Sequence, residues 1–132
     1  MAFGKAAAEG RAAVSSTQER IARIAAACRG FVYAASLMGV TGVRDAVNRE
    51  AEDLVGRIRK HTTLPVAVGL GVRDGSQAAQ VARFADGVVA GSAFVRRLLE
   101  AARPADGIAA VADLAAELAA AVRAPGAAEI TP

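Results

Sequence analysis

The sequence has no tryptophan and only one tyrosine, one histidine and one cysteine in 132 residues. A lone cysteine, Cys28, excludes an internal disulfide and suits a reducing compartment. It ends an apolar helical pattern, which makes it a small buried hydrophobe rather than a nucleophile. His61 stands in a helix-to-strand turn without acidic or cysteine neighbours at ligand spacing, so no metal is expected. No cofactor is expected either. Gly69-Leu70-Gly71 lacks the third glycine of a dinucleotide fingerprint, and no acidic residue follows at the required distance of about 20 residues.

Long apolar runs are also missing, and none approaches the roughly 18 residues of a membrane span. Residues 1–14 carry Lys5 and Arg11 but no continuous apolar segment, which argues against a signal peptide and for a cytoplasmic protein. The 16 Lys and Arg against 13 Asp and Glu are interspersed along helix faces. Without a basic run or interleaved aromatics, nothing points to nucleic acid.

What remains is a chain whose core must be built from Val, Ile, Leu and Ala, the size of one domain, suited to an α/β layer architecture. Residues 1–14 are Gly/Ala-rich and read as a loose or weakly helical lead-in. Ser16-Thr17-Gln18-Glu19 has capping-box spacing and opens a helix to about Cys28, with Ile21, Ile24 and Ala25 on one face. The run Phe31-Val32-Tyr33-Ala34-Ala35-Ser36 reads as a strand, followed by a glycine-bearing loop to Arg44. An amphipathic helix spans about 48–60 through Ala51, Leu54, Val55 and Ile58. A strand then begins at Pro65, and Asp74 with Gln77 makes a second capping box for a helix through Arg83.

The next strand, Asp86-Gly87-Val88-Val89-Ala90, has two adjacent valines and no polar alternation, which predicts burial on both faces. It ends at Gly91-Ser92, with Ser92 as the expected N-cap of a short helix, 93–102. Arg103-Pro104 and Asp106-Gly107 end that helix, and a longer one follows over 108–123, with Ile108, Val111, Leu114, Ala115, Leu118 and Val122 as its apolar face. Short links between alternating helices and strands predict a parallel sheet. A glycine at the strand end and free amides at the helix start make an anion site, the alternative being an ordinary strand-to-helix turn. Arg96 and Arg97 lie one turn further on, as added positive potential or as solvated surface.

Five stretches in register carry a resemblance: Glu19-Arg20-Ile21-Ala22-Arg23-Ile24, Gly30-Phe31-Val32-Tyr33, Gly39-Val40-Thr41-Gly42, Leu64 through Gly71, and Ala85 through Ala93. Together they resemble the C-terminal half of the tryptophan synthase alpha chain. The resemblance covers about 15–124, between the lead-in 1–14 and a tail 125–132. It implies part of a (β/α)8 TIM barrel, about strands six to eight with their helices, where a whole barrel takes about 250 residues. In that family indole-3-glycerol phosphate is cleaved by a retro-aldol step to indole and glyceraldehyde 3-phosphate, alongside a beta chain. The family's two catalytic carboxylates lie in the half with no counterpart here, so the chain alone is expected to be inactive.

By the same resemblance, backbone amides at Gly42, Gly71 and Gly91, with the amide and hydroxyl of Ser92, hold the substrate phosphate. Tyr33 and Leu70 line the pocket, Tyr33 having the alternative of a core aromatic with its hydroxyl at the rim. Thr41 sits in a loop that closes over substrate, and Leu37 stands where the family commonly has Arg. Three readings stay open: the phosphate-binding half of a lyase, a non-catalytic phosphate-binding half-barrel completed by another chain, and an aggregation-prone fragment with two bare strand edges. Such a half has three ways to cover its edges: self-association, a separate N-terminal half, or residues 1–14.

Overall fold

Short apolar runs separated by amphipathic stretches fold into four parallel strands, each followed by a helix. The computed structural model describes residues 11–13, 16–36, 44–69 and 71–124. Its elements are β1 (Arg11–Ala13), α1 (Gln18–Ala27), β2 (Val32–Ala35), α2 (Arg44–Arg59), β3 (Val66–Gly69), α3 (Gly75–Ala82), β4 (Gly87–Val89), α4 (Ser92–Glu100) and α5 (Pro104–Arg123). The strands lie in chain order, β1-β2-β3-β4, and every pairing is parallel. A doubly wound sheet reverses its strand order at a switch point, whereas an arc of a barrel does not. The sheet here is of the second kind.

The register sorts the strand residues onto two faces. Ala12, Ala34, Val68 and Val88 form one row across the sheet, and Val32 pairs with Val66 in the row below. The helices cover this face with Ile21 and Ile24 from α1, Ala51, Leu54, Val55 and Ile58 from α2, and Ala78 and Val81 from α3. Burying each such Val, Leu or Ile stabilises the fold by roughly 1.5–3 kcal/mol, so this face holds the domain together. By register the opposite face carries Arg11, Ala13, Tyr33, Ala35, Ala67, Gly69, Gly87 and Val89, small residues apart from Arg11 and Tyr33.

Several elements differ from the sequence reading. The lead-in 1–14 contains β1, which pairs with β2 and places Ala12 in the core at 0% exposure. Alanines carry little intrinsic strand signal, and here pairing to a neighbouring strand overrides it. The cap of α1 is Thr17, whose hydroxyl accepts from the Arg20 amide at 3.2 Å. Ser16 instead turns back on the strand end, its hydroxyl accepting from the Ala13 amide at 3.1 Å while its carbonyl accepts from Arg57. Pro104 opens α5 rather than separating two helices, since a proline at the first helical position gives up an amide that has no partner there anyway. Ile108 lies on the exposed side of α5, and Leu114 is its buried apolar contact.

The Asp74 cap forms as expected, its carboxylate accepting from the Gln77 amide at 2.9 Å, while the Gln77 side chain accepts from the amide of Arg73 at 2.8 Å. α5 packs along α3 and α4, and Glu117 accepts from the Gly75 amide at 3.3 Å. The strand expected to be buried on both faces, β4, is half-buried at all three residues, because it pairs only with β3.

Candidate functional site

Parallel strands bring their carboxyl ends to one side of a sheet, and here that side gathers the glycines. Gly69 pairs with Val89, so Gly71 and Gly91 each stand two residues beyond a registered pair. Gly71 has φ +66°, a left-handed conformation that side chains rarely adopt. At Gly91 neither backbone strain nor packing among the described residues demands glycine. Its φ is −130°, and a Cβ built on it meets nothing within 4 Å, so the missing side chain leaves open space directly before the first turn of α4.

Gly91, not Ser92, is the N-cap of α4, and Ser92 is the first helical residue. A serine at the first helical position cannot fold its hydroxyl back onto the helix as a cap does, and no side-chain cap bond forms. The amides of Phe94 and Val95 both return to the Gly91 carbonyl, at 3.0 and 3.3 Å. Those of Ser92 and Ala93 belong to the first helical turn, whose amides have no partner inside a helix. Gly91 and Ser92 are exposed. The chemistry this arrangement suits is a small anion facing backbone amides, favoured by the helix dipole.

Tyr33 is half-buried on the face away from the helices, and its ring lies across Gly69, where a Cβ would stand 2.9 Å from Cζ. Gly69 therefore has a packing role that the strand-end reading did not single out. Gly42, Thr41, Leu70 and Leu37 lie outside the described residues. Ser36 is a residue the sequence reading passed over. It is buried, its amide donates to the Gly69 carbonyl at 3.1 Å, and its hydroxyl has no hydrogen-bond partner among the described residues. It continues the helix-facing parity of Val32 and Ala34, and its only signal in the sequence is a polar residue closing an apolar strand.

The other side of the sheet is held by charge. The Asp86 carboxylate accepts from the Val66 amide at 2.9 Å and from Arg59 at 3.1 Å, and the Asp86 amide donates to the Val66 carbonyl at 2.9 Å. The Val66 hydrogen bond, joined by the Arg59 guanidinium, holds its carboxyl below the ordinary value. His61, exposed in the turn before β3, has Nε2 3.2 Å from Gln18 Oε1. Arg96 and Arg97 are exposed on α4. Burial pushes the Cys28 thiol up, against a nucleophilic role. On the helix side of β4 an open groove of about 390 Å³ runs between alanines of α3 and α5, Val88 and Phe94. Its one charged side chain is Asp86, so the groove does not suit an anion.

Among the described residues no helix is long and apolar enough to cross a membrane. The family model for the tryptophan synthase alpha chain matches residues 12–123. The alpha chain of Streptomyces avermitilis is 60% identical over 111 residues, and that of Acidothermus cellulolyticus 58% over the same length, each match covering 84% of this chain. The chain spans about 40% of the length of these curated relatives. Among solved structures, tryptophan synthase from Mycobacterium tuberculosis superposes with a TM-score of 0.71 at 50% identity, over 86% of this chain and 40% of that one. A structure of the tryptophan synthase α2β2 complex from Pyrococcus furiosus gives 0.67 at 34% identity, over 83% and 44%. These neighbours are TIM barrels, and the four-stranded sheet is a partial barrel of that type.

Proposed function

Since this chain belongs to the tryptophan synthase alpha chain family, we propose that it forms the phosphate-binding end of a lyase site in tryptophan biosynthesis. The substrate is indole-3-glycerol phosphate, cleaved by a retro-aldol step to indole and glyceraldehyde 3-phosphate. The observation that carries this reading is the open space before α4, at the carboxyl end of a parallel sheet and level with the left-handed Gly71. The amides of Gly42, Gly71 and Gly91, with the amide and hydroxyl of Ser92, hold the phosphate, and Tyr33 and Leu70 flank the rest of the substrate.

Backbone amides suit this task because they offer fixed donors that do not titrate. By family likeness Thr41 belongs to the loop that closes over the substrate, and Leu37 stands there without the charge of the arginine the family commonly has. Binding without a general acid and base leaves the proton transfers, each worth about 10²–10⁴-fold, undone. The carboxylates that perform them belong to the part of the family that this chain does not span, so the 132 residues bind and do not turn over. The Pyrococcus furiosus neighbour is described as part of an α2β2 complex, and we assign this chain the same class of partner, a beta chain, in the cytoplasm.

A thermal melt with and without glycerol 3-phosphate tests the site. At a hundredfold excess over its dissociation constant the ligand adds about 2.7 kcal/mol, a rise of several degrees, while glycerol adds nothing. Gly91→Val puts a side chain into the space before α4, where its Cβ meets nothing within 4 Å; the ligand-free melt falls only by the cost of losing a glycine N-cap, and the ligand-induced shift is lost. A wild-type melt indifferent to glycerol 3-phosphate overturns the reading.

A further inference from the structure

The loop between Gly71 and α3 is fixed residue by residue. Val72 is buried in the core at 2% exposure, the Arg73 amide donates to Gln77 Oε1 at 2.8 Å, and the Asp74 carboxylate accepts from the Gln77 amide at 2.9 Å. These two hydrogen bonds tie the loop to its own helix. The next one ties it to another: the Gly75 amide, first of α3, donates at 3.3 Å to Oε1 of Glu117, 42 positions further along in α5. Gly75 is buried, and a Cβ built on it would stand 3.1 Å from Glu117 Cγ and 3.4 Å from Ala121 Cβ, so glycine here lets α5 press against the start of α3. The same helix closes on α4, where a Cβ on Gly107 would stand 3.3 Å from Leu98 Cδ2 and from Ala101 Cβ.

One helix therefore braces the two that follow the glycines of β3 and β4. We propose that Glu117 is a positioning residue for phosphate binding: by holding the start of α3 it fixes the loop that presents the Gly71 amide at a set distance from the Gly91–Ser92 turn. This rests on the reading that these amides hold a phosphate. The direction of the effect separates positioning from charge. A carboxylate on that loop repels an anion bound by it, so charge alone predicts tighter binding once Glu117 is neutralised. Positioning predicts weaker binding for a side chain that cannot accept from Gly75, and no loss for one that can. The first amides of a helix have no partner inside it and turn readily to water, and the Glu117 side chain is exposed, so losing the bond loosens the loop without unfolding the chain.

Calorimetric titration of the 132-residue chain with glycerol 3-phosphate, beside ligand-free melts, is the test. Glu117→Ala is expected to weaken binding about three- to tenfold, as one lost hydrogen bond does, while its ligand-free melt stays close to wild type. Glu117→Gln keeps an oxygen for the Gly75 amide without the charge, and binds at least as tightly as wild type. Asp113→Ala removes an exposed carboxylate one turn earlier on α5 and does not weaken binding. Glu117→Ala binding as tightly as wild type, or more tightly, overturns the proposal, and so does an equal loss in Glu117→Gln or in Asp113→Ala. A wild-type chain that binds no glycerol 3-phosphate overturns the phosphate reading itself, and this inference with it.

Discussion

The middle of the sheet and its β4 end are built from the same residue types and fare differently. Val32, Val66 and Val68 are each at 0% exposure, flanked by strands on both sides and covered by helices. Val88 and Val89 are half-buried, and five of the six large apolar side chains exposed among the described residues lie on α4 and α5. Hydrophobicity alone does not decide burial. A strand with a neighbour on each side and a helix above it is finished locally, whereas β4 has one neighbour and helices that present apolar side chains to solvent. The first region carries stability, and the second carries the glycine end and most of the exposed apolar surface of the described residues.

The strongest way to break the first region is Leu54→Ala. Leu54 is 1% exposed within the cluster that joins α2 to β2 and β3. Removing its side chain leaves a cavity in the close-packed core, and the expected loss is about 2–5 kcal/mol. Urea denaturation of the dilute chain followed by circular dichroism reads this as a lower midpoint at unchanged slope.

The middle region was also the legible one. Ile21 and Ile24, the stripe from Ala51 to Ile58 and the valines at 66 and 68 announce their elements by spacing, and the Asp74 cap is readable because its chemistry is local. β1 was not legible. Three residues with two alanines have no periodicity to show, and only pairing with β2 makes them a strand. The site divides the same way. Gly71 and Gly91 stand out as glycines after strands, and it takes coordinates to show that the first is held by a left-handed backbone while the second only borders open space. Gly69 owes its identity to Tyr33, 36 positions earlier, a contact that no local pattern encodes.

Asp86 stands between the two regions, at the start of the half-buried strand, with its carboxylate on the amide that starts the buried one. Asp86→Asn removes the charge from both of its hydrogen bonds. The group is half-exposed, so solvent screening limits the loss to about 1 kcal/mol at neutral pH. The folded-state pKa is lowered, chiefly by the Val66 amide. The contribution is therefore present above the ordinary carboxylate value of 3.8 and is lost as pH falls through the depressed folded value. Melts of wild type and Asp86→Asn across pH 2 to 7 are expected to separate at the upper end and converge at the lower.

The smallest effect sharpens the contrast most. Leu99 has the same side chain as Leu54 and sits 79% exposed on α4. In the dilute chain Leu99→Ala exposes nothing new, and alanine is the better helix former, so the change stays within about 0.5 kcal/mol in either direction. The loss for Leu54→Ala is several times larger, so the two midpoints measured side by side separate a leucine that holds the core from one that lies on open surface. A Leu99→Ala midpoint that falls as far as that of Leu54→Ala would place Leu99 in a packed contact and overturn the comparison.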